Sequence, residues 1–285
     1  MPGRRLIAEQ VLFDGGYGRP LMVQRRIVLH QTLAVLERAP SSDHYHELAA
    51  ANLARWARRA EAAPAGAVEV VRGDWGEVTG ALTRRYGVCF AALNMANAFS
   101  PGGAYIEGTA AQEENMFRRT DCHLRVDDGE LDLSRDRYRT EMTELLSAVD
   151  GRVYLDTERP RVCLRGPEDR TRADLGYAWL ADDELFPFFE LRAAAQDIRR
   201  HGRFDEDDAR ARIEAQLDTL LDAGIRHAVL SAFGCGAFRN PPGRVAAIYR
   251  EALDARREDF DLIAFAIFDP GYGPDNYTPF AETLG

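Results

Sequence analysis

With 285 residues, 46% of them apolar and 29% charged, the chain can bury a sizeable core as one large domain or two small ones. All 36 basic residues are arginine, and without lysine neither Schiff-base chemistry nor a Walker-type phosphate loop is open to it. The formal charge of −10 speaks against a general nucleic-acid binder, whose footprint is basic, but not against a small acidic ligand held by backbone N–H groups.

No apolar run is long enough for a membrane span, and the opening MPGRRLIAEQVLFDGG lacks the apolar stretch and cleavage site of a signal peptide. A cytoplasmic protein is expected. Cys89, Cys122, Cys163 and Cys235 form no C-x-x-C pair, so neither a zinc ribbon nor disulfides are expected. His44 and His46 would point to different faces of a helix. No metal and no cofactor are expected.

Residues 1–63 read as an N-terminal helical extension packed on a core formed by 64–285. RRIVLHQTLAVLERA carries Ile27, Leu29, Leu33 and Leu36 at helical spacing, and Pro40 to Asp43 break it. The next helix, capped by Ser42 or Asp43, would bury Leu48, Leu53, Trp56 and Ala60 with arginines opposite. Ala62 to Gly66 make a hinge.

From Val68 the pattern alternates. VEVVRG is a β-branched strand. Asp74 is placed to cap a helix from Trp75 to Tyr86 that ends at Gly87. VCFAALNMAN (88–97) is near-continuously apolar, as in a strand buried on both faces, and strand–helix–strand suggests a βαβ unit. The charged stretch Val126 to Arg139 reads as a surface excursion feeding a helix through Val149. Short strands follow at 152–156 and 161–166, then a polar turn-rich segment and the strand FPFFELRAAA. The last third has a helix led by Asp205, a strand (227–233), a glycine loop, a helix, a strand (262–269) and a short terminal helix. The alternation predicts a three-layer α/β/α sandwich around a mixed sheet.

Two glycine loops, SPGGA (100–104) and GCGAF (234–238), each directly follow a strand. If those strands are neighbours, the loops face one crevice at the carboxyl edge of the sheet, where open α/β sheets bind ligands. Glycines let backbone N–H groups approach a phosphate closely. The first loop leads to Gln112-Glu113-Glu114, paired carboxylates at a helix start. Together these features point to a phosphorylated sugar and to protonation of a leaving group.

Gly102-Gly103-Ala104, seven residues, then Gln112-Glu113-Glu114 resembles the signature of the poly(ADP-ribose) glycohydrolases, and Gly234 to Phe238 is similar to that family's diphosphate loop. Arg239-Asn240-Pro241-Pro242 continues it in the manner of the microbial-type enzymes, and Arg72-Gly73-Asp74 resembles the first-strand Gly-Asp of the wider macrodomain fold. The likeness covers about residues 66–285.

The resemblance implies a macrodomain-like glycohydrolase that cleaves the ribose C1″–O or C1″–N bond of ADP-ribosylated proteins. Glu114 would be the general acid, then the base, and Glu113 would hold ribose hydroxyls. Neighbours on a helix diverge by about 100°, so only one carboxylate can aim at the scissile bond. Asn97 would bond the distal ribose and Gln112 would fix the loop. Gly102, Gly103 and Gly234, Cys235, Gly236 and Ala237 would take the diphosphate, with Asn240 continuing that loop, and Phe238 would pack on ribose. Asp74 would meet adenine, flanked by Tyr272, Asn276 and Tyr277. Cys235 is read as packing, not as a nucleophile. Ala104 stands where the signature has a third glycine, and its methyl demands a backbone that avoids positive φ. The partners implied are ADP-ribose and ADP-ribosylated proteins. The alternatives are a hydrolase of mono-ADP-ribose on arginine or on a partner such as ubiquitin, and a non-catalytic ADP-ribose reader.

Overall fold

The computed structural model describes residues 20–269, 271 and 273–285. The reading of residues 1–19, including the signal-peptide test, and that of Tyr272 lie outside them. Two helices come first, α1 (Pro20–Glu37) and α2 (His44–Ala57). Then follow β1 (Ala67–Arg72), α3 (Trp75–Tyr86), β2 (Ala91–Met95) and α4 (Gln112–Arg119). The middle of the chain holds the hairpin β3 (Leu131–Asp132) and β4 (Arg137–Tyr138), α5 (Thr140–Leu146), β5 (Tyr154–Leu155), β6 (Arg161–Cys163) and β7 (Phe186–Ala193). The last third gives α6 (Ile198–His201), α7 (Glu206–Asp222), β8 (His227–Leu230), α8 (Pro242–Asp254), β9 (Leu262–Ile267) and α9 (Tyr277–Leu284).

Among the described residues the central sheet runs β1-β9-β8-β2-β7, all parallel, and is closed by β5 and β6, both antiparallel to the outer edge of β7. The sheet is therefore mixed, as expected. Because successive side chains on a strand point to opposite faces, each buried strand feeds two cores. Ala91 and Leu93 of β2 and Ile263, Phe265 and Ile267 of β9 pack with α7, α8 and α9. Ala92 of β2 enters the opposite cluster with Trp75, Met116 and Phe117, and Leu262, Ala264 and Ala266 of β9 meet Val78 and Leu82 of α3. This is the three-layer arrangement.

Several local expectations are corrected. β1 and β2 lie in one sheet but do not pair, since β9 and β8 stand between them. The strand expected over 88–97 is five residues long, and those over 152–156 and 161–166 shrink to two and three around a turn in which Asp156 Oδ1 accepts from the N–H groups of Glu158 and Arg159. α1 turns Arg25, Val28, Leu29, Thr32 and Leu33 inward and leaves Ile27 exposed. Counting apolar residues alone misses a face that begins with an arginine paired to Glu168. α2 buries Ala49 and Asn52 rather than Leu53, and Ala60 lies beyond its end. The Asn52 amide donates to the carbonyls of Asp182 (2.7 Å) and Leu185 (2.9 Å). Neither Ser42 nor Asp43 caps α2 by side chain. Asp43 is its N-cap residue at ψ 0, not the extended conformation that aims a capping oxygen.

Candidate active site

β2 and β8 are adjacent and parallel, so the loops that leave them emerge side by side at one edge of the sheet. The condition set for a shared crevice, neighbouring strands, is therefore met. Each loop is held by a different device.

The first loop is tied to the start of α4. Asn97 opens it with a turn in which Oδ1 accepts from the N–H groups of Phe99 (2.8 Å) and Ser100 (3.0 Å). Gly102 and Gly103 take φ +73 and +56, a conformation open mainly to glycine. A Cβ on Gly102 would strike the rings of Tyr105 and Phe117. Ala104 is outside the left-handed region, so the methyl in place of the signature's third glycine sits on an ordinary backbone. Gln112 joins helix to strand, its Oε1 accepting from Met95 N–H (2.9 Å) and its Nε2 donating to Leu93 O (2.7 Å).

The two glutamates have different surroundings. Glu113, 3% exposed, accepts Asn97 N–H on Oε2 (2.7 Å) and Gly102 N–H on Oε1 (2.9 Å). Both its oxygens are spent on the loop. Glu114, 9% exposed, accepts Ala104 N–H (3.1 Å) and the Thr109 hydroxyl (3.1 Å), both on Oε1. Its Oε2 has no hydrogen-bond partner shown among the described residues. Burial and the neighbouring Glu114 carboxylate push the Glu113 carboxyl well above its ordinary range, against the pull of its two N–H donors. Geometry leaves the open oxygen to Glu114.

Beneath the loop lies a buried ionic cluster that sequence reasoning did not find. Glu190 on β7 accepts from Asn94 (2.8 Å) and Arg161 (2.9 Å) and pairs with Arg192 (3.2 Å). Burial would raise its carboxyl, but the two arginine charges outweigh that and lower it. Arg192 Nη1 also donates to Tyr138 Oη and Glu130 Oε2, both at 3.1 Å. Tyr138 N–H in turn holds Phe99 O (2.8 Å), and the Thr143 hydroxyl holds Ala98 O (2.8 Å). The stretch expected to be a surface excursion is therefore a buttress for the glycine loop. In sequence its charges resemble any solvated turn.

The second loop is locked from below. Gly234 has φ +74, and Asn240 donates to Gly234 O (3.1 Å) and Gln196 O (2.9 Å). Asn240, expected to contact ligand, has its amide nitrogen turned into the loop's own frame and is buried. Cys235 is buried among apolar side chains, and burial pushes its thiol up. The packing reading fits and a thiolate does not. Gly236 is different: its φ is not positive, and a Cβ there would meet no described atom within 4 Å. Nothing inside the described structure demands glycine there. Ala237 is exposed beside it, and Phe238 is half-buried under Arg199, whose guanidinium lies 5.1 Å from the ring.

Asp74 follows β1 at the same edge of the sheet. Its Oδ1 caps α3 through the N–H groups of Gly76 (2.8 Å) and Glu77 (3.3 Å) and accepts from Arg119 Nη1 (2.5 Å). Arg119, at the far end of α4, also reaches Asn115 (2.9 Å) and Arg165 O (3.0 Å), so the adenine candidate and the carboxylate helix are locked together. Nearby, Arg72 lies over the Tyr277 ring at 3.8 Å, and Asn276 is the N-cap residue of α9 without a side-chain cap bond. No group of side chains suited to a metal occurs among the described residues, and no described helix is long and apolar enough to cross a membrane.

Residues 24–144 match the family model described as the microbial-type PARG catalytic domain. The matched stretch is less than half of the chain. The match runs from α1 into α5 and takes in the first glycine loop and both glutamates. No curated relative matches the chain. Among solved structures, poly(ADP-ribose) glycohydrolase (PARG) from Thermomonospora curvata is similar at TM-score 0.62 and 24% identity over 91% of this chain and 98% of that one. The same enzyme bound to the inhibitor ADP-HPD matches at TM-score 0.59 and 24% identity, over 90% and 98%. PARG from Deinococcus radiodurans in complex with ADP-ribose matches at TM-score 0.55 and 22% identity, over 84% and 91%. The α/β fold with a central mixed sheet expected from the alternation is shared with these bacterial PARG structures.

Proposed function

We propose that the chain is an ADP-ribosyl glycohydrolase that cleaves the ribose C1″–O bond of poly(ADP-ribose) or of ADP-ribosylated proteins. The observation that carries this is the division of labour between the glutamates. Glu113 binds the glycine loop with both oxygens, whereas Glu114 keeps Oε2 open beside the same loop. The PARG family match over this stretch and the ADP-ribose and ADP-HPD complexes of structural relatives support the same ligand class.

Such a bond breaks through an oxocarbenium-like state, so the departing oxygen needs a proton and the cation needs negative charge nearby. Glu114 Oε2 gives the proton and later takes one from the attacking water. The second loop binds the diphosphate, with Gly236 as the point of closest approach, because the N–H groups of Gly102, Gly103 and Ala104 in the first loop already serve Glu113, Ser100 and Glu114. Asn97 and Phe238 contact the distal ribose, and Asp74 with Tyr277 lies toward adenine.

The test is incubation of the protein and its Glu114→Ala variant with poly(ADP-ribose) and with arginine-, serine- and glutamate-linked mono-ADP-ribosyl proteins. Release of ADP-ribose by the wild type and a loss of at least about 10²-fold in the variant are expected. Binding of ADP-ribose without release from any substrate would leave a reader. Full activity in Glu114→Ala would remove Glu114 from its role.

A further inference from the structure

We propose that Thr109 is a positioning residue for Glu114, its one hydroxyl hydrogen moving between the Ala104 carbonyl and Glu114 Oε1 as Glu114 loses and regains its proton. This rests on the glycosidic reading above and adds a residue that neither motif contains.

The Thr109 hydroxyl lies 2.8 Å from Ala104 O and 3.1 Å from Glu114 Oε1. A hydroxyl has one hydrogen to donate, so it cannot satisfy both acceptors fully. Which one it serves depends on charge. A carboxylate oxygen is the stronger acceptor, and a neutral carboxyl oxygen is weaker than a backbone carbonyl at shorter range. Ala104 N–H stays on Oε1 throughout, which leaves Oε2 to carry the transferable proton.

Around this rotor the backbone is clamped. Arg118 Nη2 donates to Thr109 O (2.7 Å), and Arg25 Nη1 from α1 donates to Gly108 O (3.3 Å). Gly108 has φ +85 and is pressed against the backbone of Met22, where a Cβ would collide. Both clamping arginines are tied to Glu168, Arg25 directly and Arg118 through Tyr177. Glu168 accepts Arg25 at 2.8 and 2.9 Å and the Tyr177 hydroxyl at 2.7 Å, and Arg118 Nε reaches Tyr177 Oη (3.4 Å). With the main chain fixed at both carbonyls, rotation of the hydroxyl is the freedom left at Thr109.

In the reaction Glu114 Oε2 gives its proton to the glycosidic oxygen as the C1″–O bond breaks and its electron pair leaves with that oxygen. The carboxylate so formed draws the Thr109 hydroxyl from Ala104 O to Oε1. Water then attacks C1″, its proton passes to Oε2, and the hydroxyl swings back. Charged and titratable groups near this rotor include Glu113 beside Glu114, Arg118 on the Thr109 carbonyl, and Glu190 of β7 and Tyr138 of β4 acting on Glu113. None of these is altered by changing Thr109.

The experiment compares wild type, Thr109→Val and Thr109→Ser. Valine keeps the shape and removes the hydroxyl. The carboxylate then loses one of its two donors on Oε1, which favours the protonated form. The alkaline limb of the pH–rate profile for ADP-ribose release should move up by about one pH unit, with turnover falling about tenfold, and serine should restore both. A uniform loss at all pH values, or failure of serine to restore the limb, overturns the proposal. Carbon-13 NMR of Glu-carboxyl-labelled protein, assigned with Glu114→Gln, repeats the comparison without substrate: the Glu114 signal should titrate about one pH unit higher in Thr109→Val. An unmoved signal overturns the proposal even in an active enzyme. A wild type that hydrolyses nothing overturns the glycosidic reading instead, and the NMR titration still decides the hydrogen bond.

Discussion

A single methyl group at Gly103 should separate the glycine loop from its carboxylates. Gly103 has φ +56, and a Cβ there would lie 2.6 Å from Glu114 Oε1 and 3.1 Å from Glu113 Oε2, where ordinary contact begins at 3.4 Å. Alanine in a left-handed backbone costs about 1–2 kcal/mol. Moving Glu114 aside forfeits its bonds to Ala104 N–H and Thr109, at about 1 kcal/mol each. The total of roughly 3 kcal/mol corresponds to a Tm lower by about 6 °C for a chain of this size. Catalysis should suffer more. Relieving the closer contact displaces the candidate acid by about 0.8 Å, and misplacement on the order of 1 Å can cost about 10²-fold in rate. The assay is ADP-ribose release with parallel calorimetry, and the control is Gly236→Ala. At Gly236 a Cβ meets no described atom within 4 Å and φ is not positive, so its Tm should stay within about 1 °C while ADP-ribose binding weakens. If Gly103→Ala kept both wild-type rate and wild-type Tm, the coupling of loop and carboxylates argued above would be wrong.

Two further outcomes follow from buried groups. Burial alone would raise the Glu168 carboxyl, but hydrogen bonds from Arg25, Arg170 and Tyr177 outweigh it and lower it from 4.5 to about 2. A depressed carboxyl stabilises the fold fully above its unfolded value and loses that contribution as pH falls through about 4.5 toward 2. Glu168→Gln should therefore be less stable than wild type at neutral pH by no more than about 2 kcal/mol after solvent screening, and the gap should close by pH 2 in urea unfolding curves. Cys235→Ala should retain ADP-ribose release within about twofold and lose on the order of 1 kcal/mol of stability to the small cavity it leaves; a dead but folded variant would restore the thiol as a nucleophile.

The parts of the fold that were legible are those where burial and composition coincide. LIAFAI of β9 reads as a strand because all six residues are buried between two helical layers, and α3 reads to the residue because Asp74 caps it and Gly87 ends it at φ +62. The glycines and glutamates of the site stood out because their spacing matched a known signature. What stayed hidden is whatever depends on arginine being inside. Arg25, Arg118, Arg119, Arg161 and Arg192 are all buried, each holding a carbonyl, a carboxylate or a hydroxyl far away in sequence. A long cationic side chain reads as solvated until its partner is known, and Glu168 lies 143 residues from Arg25. Thr109 had no signal at all, since its role comes from two acceptors that only the folded loop brings within reach.

The pairing of β1 with β9 has a kinetic consequence. Ala67 opposes Leu262 across that ladder, so the earliest strand of the described sheet must wait for a partner 195 residues further along the chain. At synthesis rates of about 5–20 residues per second the delay is on the order of 10–40 seconds. Through it the β1–α3 unit, and Asp74 with it, has no sheet neighbour to pair with. Closing so long a loop is also slow on entropic grounds. The Asp74 end of the site is therefore expected to form last, after the Glu113–Glu114 end, where β2 meets its partner β7 earlier in synthesis, Ala91 opposite Phe189.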